Sequence, residues 1–114
     1  MNDGGMSSIT AGVDISTLAR VGTALSDDTR RRILVALLDG PSYPSDLADV
    51  LELTRPNVSN HLSCLRGCGL VVTEPEGRRQ RYRLSDPKLA HALSELCDLV
   101  LAPAAGCEHQ THRP

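Results

Sequence analysis

Aromatic side chains are almost absent from this sequence: its 114 residues include two Tyr but neither Phe nor Trp. The hydrophobic core must therefore be aliphatic. A chain of this length has room for one modest core, and a small aliphatic core often gains stability by association with a second copy. We therefore expect one folded domain that forms a homodimer.

The sequence also lacks a strong excess of charge and any long apolar run. Its formal net charge is −2, so affinity for nucleic acid would require a local basic patch. No run approaches the roughly 18 apolar residues of a membrane span, and the N-terminus shows no basic-then-apolar secretory pattern. These absences predict a cytoplasmic protein with no membrane partner. In that compartment its four cysteines are expected to be metal ligands, reactive thiols or core residues rather than disulfides.

Composition divides the chain into three parts. Residues 1–12 are rich in Gly and Ser and are predicted to be disordered. Residues 13–103 contain periodic apolar segments separated by turn signals, as expected of one domain. Residues 104–114 have no periodicity and are predicted to form a flexible tail that carries Cys107.

The first half of the domain reads as three helices. The first begins at Val13, and Ser26 is predicted to cap the second, which ends at Gly40. Ser45 is predicted to cap a short third helix that ends near Leu51.

The second half contains two more helices and a hairpin. Thr54 is predicted to cap a helix that runs to about Gly67. Two β-prone runs flank residues 74–77, which are expected to form the turn of a hairpin. A last helix opens at Asp86 and continues until Pro103, with a stripe of Leu89, Leu93, Leu96 and Val100 as a dimer face. The order predicts a mostly α, homodimeric winged helix-turn-helix whose wing is the β-hairpin.

The helix after Thr54 has the pattern of a DNA-recognition helix. Its apolar residues Val58, Leu62 and Leu65 share one stripe, which is expected to face the core. Short polar side chains project from roughly the opposite side, near the helix N-terminus that meets base edges in a major groove. These residues are Ser59, Asn60 and Ser63, with Arg55 and Asn57 at the start of the helix. A helix whose polar residues are only solvated, without any contact with DNA, would show the same pattern.

The predicted wing supplies the local basic patch. Arg78, Arg79, Arg81 and Arg83 lie within six positions and are suited to phosphate or minor-groove contact. The alternative is an ordinary solvated edge strand, whose charges protect it from aggregation. A polar recognition helix and a basic wing together favour DNA binding.

Two segments of the sequence resemble the ArsR/SmtB family of metal-responsive repressors. They are "LSDDTRRRILVALLDGP" (25–41) and "LTRPNVSNHLSCLRGCGLV" (53–71). The first is similar to the family's L-x-D-x-T-R-x-x-I-L helix, and the second contains its signature S-x-H-L-x-x-L-x-x-x-G-L-V. The wing, "GRRQRYRL" (77–84), is similar as well, and the likeness covers about residues 14–102.

The resemblance implies a repressor that binds operator DNA without metal and is released when metal binds. It also implies that His61, a residue of the signature, packs against the fold or contacts DNA. The candidate DNA contacts are therefore Arg55, Asn57, Ser59, Asn60, His61 and Ser63 on the helix and Arg78, Arg79 and Arg81 on the wing.

Cys64 and Cys68 form a Cys-x-x-x-Cys pair on the predicted recognition helix. Residues four apart lie about one helical turn apart on the same side, so both sulfurs can reach one ion. Thiolates select soft or borderline metals. The spacing alone favours two small core residues over a metal site.

Within the family, such a pair resembles that of the cadmium- and lead-sensing members, in which a tail cysteine completes the site across the dimer. By location this residue is Cys107, and Cys97 on the last helix is the alternative third ligand. The resemblance implies Cd(II) or Pb(II) as the inducer, with As(III) and Zn(II) as alternatives. For zinc, His61 could supply a fourth ligand, and His109 and His112 are further candidates for weak binding.

Three other classes of function are an enzyme, a redox-sensing repressor and a DNA-binding protein without metal. The sequence has no Gly-rich phosphate loop, nucleophile elbow or paired catalytic carboxylates, so an enzyme is not expected. A repressor that senses oxidation through Cys64 is a real alternative, because neighbouring arginines favour the thiolate. A DNA-binding protein without any metal, whose cysteines only pack, is the third possibility.

Overall fold

The computed structural model describes residues 15–102 and residue 104, and within them the predicted order of elements is confirmed. The N-terminal segment 1–12 and all of the predicted tail except residue 104 lie outside the described residues. The helices are α1 (Ile15–Leu25), α2 (Asp28–Ala36), α3 (Pro44–Leu51), α4 (Arg55–Gly67) and α5 (Pro87–Cys97). A 3₁₀ turn (Leu37–Asp39) follows α2, and strands β1 (Val71–Glu76) and β2 (Arg79–Leu84) form the wing. The predicted winged helix-turn-helix is therefore present.

The core is aliphatic, as predicted from the shortage of aromatic residues. Val58, Leu62 and Leu65 of α4 are each 0% exposed, which confirms the stripe expected to face inward. They pack with apolar side chains from every other helix and from both strands. No polar or charged residue is fully buried among those that the structure describes. The helix-turn-helix is thus fixed by side-chain packing around α4, since apolar burial is the main stabilising contribution to folding.

Two predicted helix caps are wrong by one or two positions. The side chain of Asp27, not Ser26, caps α2 by accepting a hydrogen bond from the Arg30 N–H at 2.9 Å. Ser26 instead bonds backward, its hydroxyl donating to the Thr23 carbonyl at 2.6 Å. At α3, Ser45 lies inside the helix and Tyr43 is the N-cap. The helix starts earlier because Pro44 has the fixed φ and missing N–H that suit a first helical position.

Both ends of α4 are formed as predicted. Thr54 accepts a hydrogen bond from the Asn57 N–H at 3.2 Å, which caps the helix. At the other end Gly69 has φ +82°, a conformation that glycine adopts readily. The Leu70 N–H donates to the Leu65 carbonyl at 3.0 Å, closing the last turn.

The wing differs from prediction in the place of its turn. Residues 74–76 belong to β1, where Glu74 pairs with Arg81 and Glu76 with Arg79, so the turn contains only Gly77 and Arg78. Gly77 has φ +62°, which a tight two-residue hairpin turn requires. Pro75 lacks an N–H but is tolerated because β1 has only one partner strand, β2, among the residues that the structure describes.

The last helix is shorter than predicted. It ends at Cys97 rather than near Pro103, and the Asp98 N–H closes it by donating to the Ser94 and Glu95 carbonyls. The predicted stripe is therefore interrupted: Leu93 is buried, Leu96 is 50% exposed, and Val100 lies beyond the helix and is 94% exposed. In the described part of a single chain, the four large apolar residues past Leu93 are at least half exposed: Leu96, Leu99, Val100 and Leu101. Among the described helices, none is long and apolar enough to cross a membrane.

Candidate DNA interface and thiol pair

The exposed face of α4 carries the short polar side chains that the sequence predicted. Ser59, Asn60 and Ser63 are all exposed, opposite the buried stripe. Arg55 is exposed at the first helical position, and Asn57 is half-buried beneath the cap. The structure therefore presents a surface of exposed polar side chains along the first turns of α4, the part of a recognition helix that enters a major groove.

His61 points toward another part of the fold. Its Nδ1 lies 3.8 Å from Oδ2 of Asp27, and its side chain is 23% exposed. Asp27 is the cap of α2, so this contact joins the recognition helix to the helix behind it. The bond from the Arg30 N–H lowers the pKa of the Asp27 carboxyl, burial opposes this, and the charge of His61 lowers it further. A DNA contact by His61 stays a prediction.

Two of the four wing arginines form ion pairs inside the hairpin. Arg83 Nε lies 2.6 Å from Glu74 Oε2, and Arg81 Nη2 lies 2.9 Å from Glu74 Oε1. Arg81 Nε is also 2.7 Å from Glu76 Oε1, an ion pair without a hydrogen bond. The bond from Arg83 holds the pKa of Glu74 below its ordinary value. The basic patch is therefore smaller than four arginines suggest.

The other two arginines lie at the tip of the wing. Arg78 is exposed in the turn. Arg79 stacks on Tyr43, with its Cζ 3.5 Å from the ring centroid, and its Nη2 donates to Ser45 Oγ at 3.3 Å. Tyr43 is not among the residues predicted from the sequence. The sequence did contain a reason to single it out, because Tyr43 is one of only two aromatic residues and immediately precedes the proline that starts α3.

The thiol pair lies at the C-terminal end of α4. Cys64 is exposed, and Cys68 is half-buried against the core just after the last helical residue. Both are free thiols, and the Cys68 N–H donates to the Cys64 carbonyl at 3.1 Å, which keeps them one turn apart. Two accessible thiols on an ordered turn fit a soft metal ion as part of its ligand set. Cys68 also packs against the core, so a role in metal binding and a role in packing are compatible for this residue.

A third ligand is not supplied by the described residues of one chain. Among residues 15–102 and 104, no three His, Cys, Asp or Glu side chains come together as a metal site. Cys97 is exposed at the end of α5 but joins no such group with the pair on α4. Cys107, His109 and His112 lie outside the described residues, so their assignments stay predictions.

Comparison with known proteins agrees with this architecture. The family model described as "Bacterial regulatory protein, arsR family" matches residues 27–73, from the α2 cap into β1. The chain is 68% identical over 87 residues to the HTH-type transcriptional regulator CmtR of Mycobacterium tuberculosis, which covers 76% of this chain and 74% of that relative. The chain belongs to the ArsR family.

Solved structures of relatives extend the comparison to the fold. The NMR structure of the cadmium metal-sensor CmtR from Mycobacterium tuberculosis has a TM-score of 0.64 and 66% identity, covering 76% of this chain and 91% of that one. The homodimeric winged helix-turn-helix domain of Mb0332 from Mycobacterium bovis has a TM-score of 0.68 and 27% identity, covering 85% and 84%. The family model and CmtR are both described as regulatory proteins, which confirms the prediction of a transcriptional regulator rather than an enzyme.

Proposed function

We propose that the protein is a metal-responsive repressor, which binds operator DNA as a homodimer without metal and is released when a soft metal ion binds. One observation carries the proposal: α4 presents both an exposed polar face at its N-terminal end and a pair of free thiols at its C-terminal end. The likeness to CmtR, whose solved structure is described as that of a cadmium metal-sensor, supports Cd(II) as inducer. Pb(II) has the same preference for thiolates, and As(III) and Zn(II) are the alternatives.

Operator recognition is assigned to α4 and the tip of the wing. Short hydroxyl and amide side chains near a helix N-terminus can approach base edges closely, whereas arginines contact phosphates or the minor groove. Because the charge of Arg81 is balanced by two glutamates, Arg78 and Arg79 take the larger share of the wing's phosphate contact. The proposed contacts are Arg55, Asn57, Ser59, Asn60, His61 and Ser63 on α4 and Arg78, Arg79 and Arg81 on the wing.

Dimerisation is assigned to α1 and α5. Ala24 is the only described residue of α1 that is buried, and Leu18 is 65% exposed. Leu96 and the apolar residues that follow α5 are exposed on a single chain as well. A second copy that covers these side chains would also present two recognition helices to two half-sites.

Metal binding is assigned to the thiolates of Cys64, Cys68 and Cys107, with Cys97 as the alternative third ligand. The pair on α4 is ordered before metal arrives, which reduces the entropic cost of binding. A third thiolate from the tail region, of the same or the other subunit, would join the recognition helix to a distant part of the chain. Three thiolates match the preference of Cd(II) and Pb(II) for soft ligands.

Release follows from linkage between the two ligands. An ion that binds the DNA-free dimer more tightly than the DNA-bound dimer must weaken operator binding by the same factor. A coupling of about 1–3 kcal/mol, typical of allostery, lowers operator affinity roughly 5- to 150-fold.

The test is an anaerobic titration of the reduced protein with Cd(II), Pb(II), Zn(II) and As(III). Sulfur-to-metal charge-transfer absorption reports binding, and fluorescence anisotropy of a labelled operator duplex reports release in the same samples. We expect Cd(II) or Pb(II) to bind and to release the DNA together. Metal binding without release would contradict the regulatory proposal, and release only after oxidation would favour the redox sensor.

Two serine variants identify the third ligand. Cys107→Ser should keep metal-free operator binding, weaken the binding of Cd(II) or Pb(II), and lose most of the metal-induced release. Cys97→Ser is the matched control and should behave as wild type. The reverse pattern would assign the third position to Cys97, and no effect from either variant would refute a three-thiolate site.

A further inference from the structure

We propose that Tyr43 is a positioning residue for operator binding, which holds the Arg79 guanidinium in place so that the wing and the helix-turn-helix meet DNA as one preformed surface. This inference rests on the proposed function, because it concerns how the wing contacts the operator. Tyr43 and Arg79 are 36 positions apart in the sequence but in direct contact in the fold.

The contact leaves Arg79 able to bind a phosphate. Arg79 Cζ lies over the ring of Tyr43, 3.5 Å from the ring centroid, a distance at which a planar guanidinium stacks on an aromatic ring with its face. Stacking uses the face of the group, whereas its five N–H donors point outward in its plane. Ser45 Oγ accepts from Nη2 of Arg79 at 3.3 Å. Arg79 remains an exposed residue, so its other donors stay accessible from solvent.

Tyr43 is itself held from two directions. Its hydroxyl donates to Oε1 of Glu76 on β1 at 3.1 Å. The residue before it, Ser42, exchanges both backbone hydrogen bonds with Tyr82 of β2, at 2.9 and 2.7 Å. Partial desolvation and the neighbouring Glu76 raise the pKa of the Tyr43 phenol, so it stays a proton donor at neutral pH. The ring therefore has a fixed orientation relative to both strands.

This arrangement lowers the entropic cost of DNA contact at the wing tip. A free arginine side chain samples many rotamers and loses that freedom when it binds a phosphate. Arg79 is already restricted by the ring and by Ser45 before any DNA arrives. Arg78, in the turn, is an exposed neighbour of the same charge and serves as the matched comparison.

A double-mutant cycle tests the proposal. The probe is a duplex bearing an inverted repeat that the wild-type protein selects from a random-sequence pool, and binding is measured across a salt series. Arg79→Ala should weaken binding and lower the slope of log affinity against log salt by about 1. In a Tyr43→Leu background the same change should have an effect smaller by about threefold or more, the size of coupling expected for residues in contact. Arg78→Ala should have the same effect in both backgrounds.

Tyr43→Phe separates the ring from the hydroxyl and guards against a variant that fails to fold. It keeps the stacking surface, so binding should lie between that of wild type and that of Tyr43→Leu. NMR adds a measurement without DNA: the ring should shift the Arg79 Nε–H resonance upfield in wild type and in Tyr43→Phe. The shift should be lost in Tyr43→Leu, while thermal unfolding shows that each variant is folded.

The outcomes distinguish this inference from the proposed function. If Arg79→Ala weakens binding equally in both backgrounds, the positioning role is overturned while the wing contact stands. If neither Arg78→Ala nor Arg79→Ala changes binding by a protein that otherwise recognises its duplex, the wing contact fails and the positioning role fails with it. If the wild-type protein selects no duplex at all, the proposed function itself fails and takes this inference with it.

Discussion

Replacing Leu18 with Ser should weaken the dimer while leaving the fold of each subunit intact. Leu18 lies on α1, a helix of which Ala24 is the only buried residue that the structure describes. The Leu18 side chain is 65% exposed, so a single chain gains little from its packing. Its apolar surface is available for a second copy of the chain.

The size of the effect follows from that exposed fraction. Burying a leucine fully contributes about 1.5–3 kcal/mol. The 65% of Leu18 that is exposed in one chain therefore corresponds to about 1–2 kcal/mol per subunit. A two-fold dimer contains the contact twice, which gives about 2–4 kcal/mol and raises the dimer dissociation constant roughly 30- to 900-fold.

Sedimentation velocity over a range of protein concentrations measures this change directly. Val50→Ser is the control, because Val50 is 73% exposed but lies on α3, a helix that is not assigned to the interface. It should leave the dissociation constant unchanged. If Leu18→Ser also leaves it unchanged, or if Val50→Ser changes it as much, the assignment of α1 to the dimer interface is refuted.

Three further predictions concern stability. Leu65→Ala removes a side chain that is 0% exposed and should cost about 2–5 kcal/mol in the free energy of unfolding, measured by urea denaturation; a cost below 1 kcal/mol would contradict the described core. Asp27→Ala should cost about 0.5–2 kcal/mol through loss of the α2 cap, whereas Asp27→Asn keeps a capping oxygen and should cost less; equal costs would point to the charge instead. The pKa of Glu74 is lowered in the folded protein, so the ion pairs of its carboxylate stabilise the fold at pH values above 4.5, the ordinary pKa. This stabilisation is lost as the pH falls through the lower pKa of the folded state. Glu74→Gln should therefore flatten the acid limb of a pH–stability profile, and an unaltered limb would refute this role.

The recognition helix could be predicted from the sequence because its signals are local and mutually consistent. The spacing of Val58, Leu62 and Leu65 matches one face of a helix, while Thr54 and Gly69 mark its two ends. Once the buried stripe is assigned, the residues on the opposite side of the helix must form its exposed face. Each of these signals depends on residues within one helix length, so no knowledge of distant contacts was needed.

Other features depended on choices that local sequence leaves open. Ser26 and Asp27 are adjacent and both are good caps, so only the backbone conformation decides that Asp27 fills the role. The basic wing was overestimated for a similar reason. Placing the turn at residues 74–77 removes Glu74 and Glu76 from the strand, whereas the observed turn sets Glu74 directly opposite Arg81. A shift of two residues thus decides whether an arginine faces solvent or a glutamate.

Contacts between distant segments were the least predictable. Tyr43 lies far from Arg79 in the sequence, and no periodicity links them. The same holds for His61 and Asp27, which are joined only by the packing of α4 on α2. Likewise, the exposure of the Leu18 and Leu96 side chains is explained only when a second chain covers them.

The place of the thiol pair explains how one bound ion could affect both DNA-contacting elements in the proposed mechanism. Cys68 follows the last residue of α4, and β1 begins only three positions later at Val71. The Ser85 N–H at the far end of the hairpin donates to the Leu70 carbonyl at 2.9 Å, so both ends of the hairpin are anchored beside this junction. A ligand from the tail region that joins Cys64 and Cys68 would restrain the recognition helix at the point where the wing is attached. The angle between α4 and the wing must fit the groove and the phosphates at once, and a constraint at their junction would oppose that fit in both subunits.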